Sequence, residues 1–455
     1  MKNTGPTSEA GLEKYSVKNI YKRLSENRKS EGSARYLKVS VPGSKSITNR
    51  ALLIATLAKG DTKLSGVLFS DDSRNFLKCV QELGVETEVD EDKKIVTVHG
   101  CNGKIPKNEA DIYVGSAGTA ARFITATLGV LRGRYGIDSS EQMRKRPMEP
   151  LLDAIKGLGC EVEYKGETGH FPVVITSHGF GKNSISVNID KSSQFLSALL
   201  IASVLSEDDF EVEVLGSHGM AYIEMTVKMM EQFGAKAEKT EKGYRISKDE
   251  SFTGCDYDIE PDASAAAYFY AMSPLLNIPV SVPGIKEPSL QGDVGFIKIL
   301  EKMGCRAEAK DGSILLLPPQ DGIMRGVTVD MSACSDQAIT LAAIAPFADS
   351  PTTITGIGHI RLQESDRLTA IVTELTRMGI KTESGEDFIK IYPGTPNPAE
   401  IETYEDHRMA MGFSLTGLRA DGIVIKDPGC CKKTFENYFE VLDKVLSDLQ
   451  ENAVL

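Results

Sequence analysis

Apolar residues return along this chain with helical spacing, and each run ends in a large apolar residue followed by glycine. The pairs are Leu83-Gly84, Leu158-Gly159, Phe233-Gly234, Met303-Gly304 and Met378-Gly379, with successive glycines 75, 75, 70 and 75 residues apart. Upstream of each glycine the same face is apolar, from Leu77, Val80 and Leu83 in the first copy to Val372, Leu375 and Met378 in the fifth. That spacing predicts an amphipathic helix. The glycine stops it, because glycine enters the left-handed region without steric cost. Short alternating segments follow each stop and predict hairpins, clearest at 85–89 with 95–98, 161–164 with 173–176 and 381–383 with 388–391.

A second series of helices starts about half a period away, at Ser44, Ser116, Ser193, Asp262, Asp336 and Asp406, residue types that cap helix N-termini. The period predicts six βαβ-like units. The sixth ends in a helix over 435–449 with no strand pair behind it, and the strand expected over 36–41 is assigned to complete it. A chain of 455 residues exceeds the ~250–300 that one core sustains. The expected fold is therefore α/β, with two similar domains of three βαβαββ-type units each. Proline and glycine interrupt the pattern near Pro42 and at Glu260-Pro261. Residues 1–42 are then a tail and a strand completing the C-terminal domain, 43–260 the first domain and 261–455 the second. Residues 1–35 are expected to be a mobile tail, with room for a short helix over Ser16 to Arg23.

Composition changes this picture little, since 41% hydrophobic and 25% charged residues are globular values. Charge narrows the partners. A net charge of −12 and a pI near 5.2 argue against nucleic acid, which needs a basic face, but leave room for a small anion in a locally positive cleft. The opening residues carry no apolar signal segment. The longest apolar stretch, Phe195 to Leu205, is broken by Ser197 and Ser203 and falls short of the ~20 residues of a membrane span. A cytoplasmic protein with no membrane partner is expected. The eight cysteines show no metal-ligand spacing with the six histidines, so they read as reduced thiols and no metal is expected.

Helix N-termini present free N–H groups and a positive dipole end, so several around one cleft would hold phosphates and carboxylates. The unusual residues fall at these positions. Gly43-Ser44-Lys45-Ser46 with Arg50 opens the first helix and Gly118-Thr119 the second, where small residues admit a ligand close to the backbone. The C-terminal half supplies Gln363-Glu364-Ser365-Asp366-Arg367, then Asp406-His407-Arg408 and Lys432-Lys433. Arg367 and Arg408 can each fork onto an anion, Lys433 adds a point charge, and Glu364 is a candidate proton-transfer group. In isolation, Glu364–Arg367 reads equally well as a surface ion pair, and repetition alone also fits a binding scaffold.

Pro42-Gly43-Ser44-Lys45-Ser46 with Asn49-Arg50, Ala117-Gly118-Thr119-Ala120, Arg146-Pro147, Ser192-Ser193-Gln194, Glu364-Ser365-Asp366-Arg367 and Asp406-His407-Arg408 together resemble the EPSP synthases (3-phosphoshikimate 1-carboxyvinyltransferases) from about Val39 to Tyr438. The resemblance implies two domains of three units, a fold shared with UDP-N-acetylglucosamine enolpyruvyl transferase, and an active site in the cleft between them. It implies transfer of the carboxyvinyl group of phosphoenolpyruvate to the 5-hydroxyl of shikimate 3-phosphate, by a monomer without cofactor. Lys45, Gly118, Arg146, Gln194, Arg367, Arg408 and Lys433 would then surround phosphoenolpyruvate. Lys45, Ser46, Arg50, Ser192, Ser193, Gln194, Asp336 and Gln363 would hold shikimate 3-phosphate. Asp336 would accept the hydroxyl proton and Glu364 would protonate the vinyl carbon, with Lys45 as a third catalytic group. Family members with glycine at the position of Gly118 leave room for the inhibitor glyphosate.

The chain departs from the family pattern on the shikimate side. Gln363 stands where many members have Lys, Gly219 replaces a Ser and His359 an Asn, while Phe123 follows Arg122 where Pro is common. Enolpyruvyl transfer to a UDP-sugar is the rival within transferases, but that family places Lys-Asn near its first helix and a reactive Cys in a mobile loop. Here Lys45-Ser46 and a cysteine-free stretch over 139–145 stand instead. A non-catalytic anion-binding homologue would lack the acid and base, and both Asp336 and Glu364 are present.

Overall fold

The structure, a computed structural model, describes residues 13–27 and 36–451. Its repeating unit is clearest between residues 109 and 177. Glu109–Tyr113 and Gly133–Asp138 run parallel, joined by the helix Gly118–Val130, because parallel neighbours need a crossover. A second helix, Glu149–Gly157, leads to an antiparallel pair, Glu161–Tyr164 with Val173–Ser177, and the latter strand returns to pair with Gly133–Asp138. Among the described residues, five sheets share this four-stranded plan and a sixth has three strands. The glycine stops behave as the pattern predicts: Gly84, Gly159, Gly234, Gly304 and Gly379 all have φ between 76° and 106°.

The apolar faces gather into two cores. One is drawn from Ile47 to Ile259, the other from Tyr15 to Val39 together with Ala263 to Leu446. Between them the chain crosses twice, side by side. Ser44 N–H donates to Glu260 O at 2.8 Å and Asp262 N–H to Pro42 O at 2.8 Å. Gly43 permits the approach, since a Cβ there would lie 1.9 Å from Gly66 O. Among the described residues, no helix is long and apolar enough to cross a membrane.

Two expectations for the start of the chain are corrected. Leu37–Lys38 does not complete the sixth unit but runs parallel to Val280–Ser281 in the fourth. The reason is the crossing just described: a strand that ends beside Pro42 lies next to the helix opening at Asp262, which is where the fourth unit lacks its parallel strand. The sixth sheet, Ala399–Ile401 beside Ile423–Lys426, is instead closed by Lys14–Ser16, which pairs antiparallel with Ile423–Lys426. The expected tail is thus built into the fold over 13–27, and its helix spans Tyr21–Asn27 because Ser16 belongs to the strand. The remainder of that expected tail, 1–12 and 28–35, lies outside the described residues.

Tyr15 fixes this closing strand. Its ring sits 4.3 Å from that of Phe439, and its hydroxyl donates to Asp443 Oδ1 at 2.7 Å. We expect Tyr15→Ala to destabilise the protein by about 3–5 kcal/mol, the usual cost of emptying a buried aromatic site. Tyr15→Phe, which forfeits only the hydrogen bond, should cost about 1 kcal/mol. Urea unfolding checks this, and equal midpoints for wild type and Tyr15→Ala would show that the strand is ornamental.

Candidate active site

Residues at or just before the starts of five helices line one cavity, and a sixth helix joins them through Ser264, whose hydroxyl lies 3.4 Å from Arg408 Nη2. Lys45–Leu57, Gly118–Val130 and Gln194–Ser203 come from the first core, and Ala263–Leu276, Ala338–Ile344 and His407–Gly417 from the second. Ser44, Asp262 and Asp406 cap their helices through the side chain, as expected. Ser193 occupies its cap position without a side-chain bond. Two cap assignments are corrected. The second helix is capped by Ala117 rather than Ser116, which leaves its first amides free of a side-chain partner. Asp336 lies in a short 3-10 turn ahead of a helix capped by Gln337, so its carboxylate is available to arginines.

The cavity has a volume of about 100 Å³. From the first half it is lined by Lys45, Ser46, Arg50, Arg146, Ser192, Ser193 and Gln194, and from the second by Asp336, Gln363, Glu364, Arg367 and Arg408. Lys433 adjoins it through Glu364 at 3.6 Å. Gly118 adjoins it through two guanidiniums, because a Cβ there would lie 2.5 Å from Arg122 Nη1 and 2.7 Å from Arg146 Nη1. The candidate residues therefore stand together. Arg50 is among the most enclosed of them: it donates to Thr226 Oγ1 at 2.7 Å, Ser46 O at 3.0 Å, Tyr222 O at 3.3 Å and Ser197 Oγ at 3.4 Å.

Charge is balanced unevenly. Arg367 forks onto Asp406 through Nε at 2.7 Å and Nη2 at 3.2 Å, and also meets Glu364 at 2.7 Å and Asp336 at 2.9 Å. Arg408 donates to Asp336 Oδ2 at 2.7 Å. Burial alone would raise the Asp336 carboxyl, but Arg408 and Arg367 hold it below its ordinary value. Burial is likewise overcome at Glu364, which Arg367, Lys433, Arg146 and Lys45 hold well below the usual carboxylate range. Two guanidiniums lack such partners. Arg50 and Arg122 are each 1% exposed, and their hydrogen bonds go to neutral oxygens. Burial pushes Arg50 down to about 10, and burial with the nearby Arg146 pushes Arg122 well below its ordinary value. Arg146 has Nε and Nη1 buried without a hydrogen-bond partner, and Arg122 has Nε in the same condition. Buried, unmet donors of this kind are costly unless an anion completes them.

Sequence reasoning passed over several residues of the site. Arg122 lies two residues beyond the Ala117-Gly118-Thr119-Ala120 run, and its i, i+4 relation to Gly118 could have marked it; its Nη1 donates to Gly118 O at 3.1 Å and Gln194 Oε1 at 3.1 Å. Tyr222, His218 and Asp293 gave no such signal. Tyr222 reaches over the cleft to donate to Asp336 Oδ2 at 3.0 Å, and its hydroxyl lies 3.4 Å from Asp293 Oδ2. Burial and the neighbouring Asp336 raise the Asp293 carboxyl to about 6. Among the described residues, no cluster of histidine, cysteine and carboxylate side chains is arranged to hold a metal.

Comparison with known proteins bears on this geometry. The family model of EPSP synthase (3-phosphoshikimate 1-carboxyvinyltransferase) matches residues 32–442. A 3-phosphoshikimate 1-carboxyvinyltransferase of Nostoc punctiforme is 42% identical over 403 residues, covering 88% of this chain and 94% of that protein. The chloroplastic enzyme of that name from Arabidopsis thaliana is 39% identical over 428 residues, covering 90% and 82%. Among solved structures, an EPSP synthase from Acinetobacter baumannii superposes with a TM-score of 0.76 at 24% identity, covering 95% of this chain and 98% of that one. The enolpyruvyl transferase NikO from Streptomyces tendae has the same fold, with a TM-score of 0.69 at 16% identity over 91% of this chain and 96% of its own.

Several contacts tie the two halves across the cavity. Arg146 Nη1 lies 3.8 Å from Glu364 Oε1, Tyr222 donates to Asp336, and Lys433 Nζ lies 3.4 Å from Gln142 Oε1. Both carboxyls are held below their ordinary values, so their contribution to closure is complete above pH ~4.5 and is lost as the pH falls through the depressed values. We expect the ligand-free protein to expand on acidification below that range, and Glu364→Gln to be expanded already at pH 7. Small-angle scattering reads both, and one radius of gyration for wild type and variant at pH 7 would show that Glu364 is no tie.

Proposed function

The chain belongs to the EPSP synthase family, and we infer that it transfers the enolpyruvyl group of phosphoenolpyruvate to the 5-hydroxyl of shikimate 3-phosphate, releasing phosphate. The observation that supports this site for the reaction is the set of buried guanidiniums, Arg50, Arg122 and Arg146, whose charge or N–H groups the protein leaves unanswered. Two phosphates and two carboxylates enter with the substrates, and a dry cleft rich in fixed cations is where such charge is best held. The acid and base follow from position. Asp336, ionised under Arg408 and Arg367, takes the proton of the attacking hydroxyl as the new C–O bond forms.

Glu364 must give a proton to the methylene carbon, yet the surrounding cations of the protein keep it ionised. Phosphoenolpyruvate resolves this. Its own anionic groups occupy Arg146, Lys433 and Arg367, and with these cations neutralised the buried carboxyl is pushed up and takes a proton. In the second step the methyl group returns a proton to Glu364, the bond to the phosphate oxygen breaks, and the phosphate leaves with the proton held by Asp336. Lys45, Gly118, Arg146, Gln194, Arg367, Arg408 and Lys433 are assigned to phosphoenolpyruvate. Lys45, Ser46, Arg50, Ser192, Ser193, Gln194, Asp336 and Gln363 are assigned to shikimate 3-phosphate. The protein works as a cytoplasmic monomer in this reading, divided at residues 42 and 260 into two domains that close on the substrates.

Asp336→Asn and Glu364→Gln should each lower turnover by ~10²–10⁴-fold while the Michaelis constants stay within about tenfold. Phosphate release from phosphoenolpyruvate with shikimate 3-phosphate measures it, a UDP-sugar acceptor serving as the negative control; near-wild-type turnover in either variant removes that residue from the mechanism. Gly118→Ala sets a methyl group against Arg122 and Arg146, and crowding of this kind costs ~1–3 kcal/mol. The Michaelis constant for phosphoenolpyruvate should therefore rise, and the inhibition constant for the longer glyphosate should rise further. Equal ratios for the two would show that Gly118 does not limit the pocket's length.

A further inference from the structure

Two histidines meet across the cavity. His218 comes from the first half and His359 from the second, and their ring centroids lie 3.9 Å apart with the planes tilted by 45°. Both line the cavity, and both are half-buried. His359 Nε2 is hydrogen-bonded to Ser335 Oγ at 2.8 Å, beside the base Asp336. His218 precedes Gly219, a left-handed residue (φ 67°) packed so closely on Ser193 that a Cβ there would lie 2.5 Å from its hydroxyl oxygen. The imidazoles thus line the same cavity as Ser192 and Ser193, at the part assigned to the acceptor.

Of the cations lining the cavity, Arg367 is the one that faces the rings, at His359, and it is already engaged. Arg408 and Arg367 are taken by Asp336, Asp406 and Glu364, and Lys191, which also lines the cavity, is exposed and lies 3.6 Å from Glu149. Two imidazoles this close cannot both carry charge. Burial lowers His218, and burial together with His218 pushes His359 down to about 4, so the empty cleft holds a neutral pair. The charged groups that face them are Asp190 and Asp336 at His218, and Asp336, Asp387 and Arg367 at His359.

We propose that His218 and His359 form the receptor for the phosphate monoester of the acceptor, one imidazole taking up a proton as the phosphate settles against it and against the Ser192 and Ser193 hydroxyls. The inference rests on the transferase reading above and names a recognition element of that same site. A phosphate monoester carries nearly two negative charges at neutral pH and three strong acceptor oxygens. Seated beside a neutral imidazole it supplies the countercharge that burial withholds. Because one ring comes from each half, the same event fastens the cleft around the acceptor.

The test is acceptor binding measured by titration calorimetry in buffers of different ionisation enthalpy, with steady-state kinetics from pH 6 to 9. Wild type should take up protons when shikimate 3-phosphate binds. Its Michaelis constant for that substrate should rise by up to about tenfold per pH unit once the bound imidazole deprotonates, the slope that one linked proton allows. The constant for phosphoenolpyruvate should not share that slope. In His218→Gln/His359→Asn the Michaelis constant for shikimate 3-phosphate should be high and flat with pH, with the loss falling on that constant more than on turnover. Shikimate, which lacks the phosphate, should bind wild type and the double variant alike. Parallel pH profiles and equal proton uptake in the two proteins would overturn the proposal. Lack of phosphate release by wild type would instead overturn the transferase reading, and calorimetry with shikimate 3-phosphate would still decide whether the imidazoles bind it.

Discussion

Burying a guanidinium without a countercharge is expensive, and this molecule does so deliberately around a single point. Arg50 and Arg122 project among helix N-termini that already carry positive dipole ends, and Arg146 beside them keeps Nε and Nη1 without a hydrogen-bond partner. The scaffold makes that arrangement tolerable. Long apolar helices fix the first turns from behind, and Thr226, Ser46, Ser197 and Gln194 furnish neutral oxygens that hold the arginines in place without cancelling them. The charge that remains is the binding energy for anions, stored before any ligand arrives.

Carboxylates complete the design from the other side. Glu364 and Asp336 answer the cations of the empty cleft, and they are also the groups assigned to move protons. In the proposed reaction, binding and chemistry are therefore coupled through the same ion pairs. An arriving anion takes over a cation, and the displaced carboxyl changes its affinity for protons. A catalytic acid produced in this way exists only when substrate is present to be protonated.

The repeat was legible because two signals coincided: helical periodicity showed where each helix lay, and the glycine after it showed where it stopped. Leu83-Gly84 and its four counterparts carried both. Lys45, Arg367 and Arg408 were legible for a similar reason, since they cluster at helix starts in short, unusual runs. What depends on distant chain segments meeting was not. Lys14–Ser16 is three residues of unremarkable composition, and nothing local assigns it to Ile423–Lys426 rather than to solvent. His218 and His359 are 141 positions apart and each is ordinary alone. Asp336 looked like a helix cap and proved to be a carboxylate free of that duty, because a 3-10 turn over Ser335–Gln337 displaces the helix cap by one residue, to Gln337.

The crossing at Gly43 and Pro261 has a consequence for synthesis on the ribosome. The first half is contiguous: its last strand, Asp256–Asp258, closes its sheet before any of the second core downstream of Ile259 has been made. Lys14–Ser16 and Leu37–Lys38 emerge earlier still, yet their partners at Ile423–Lys426 and Val280–Ser281 come only with the second half. At ~5–20 residues per second the nascent chain carries Lys14–Ser16 unpaired for roughly 20–80 s. Tyr15 and Val17, apolar and destined for burial, spend that interval in search of a partner not yet translated. A folding helper that shields the first forty residues, or a codon usage that hastens the last hundred, would act on the yield of this protein without touching its active site.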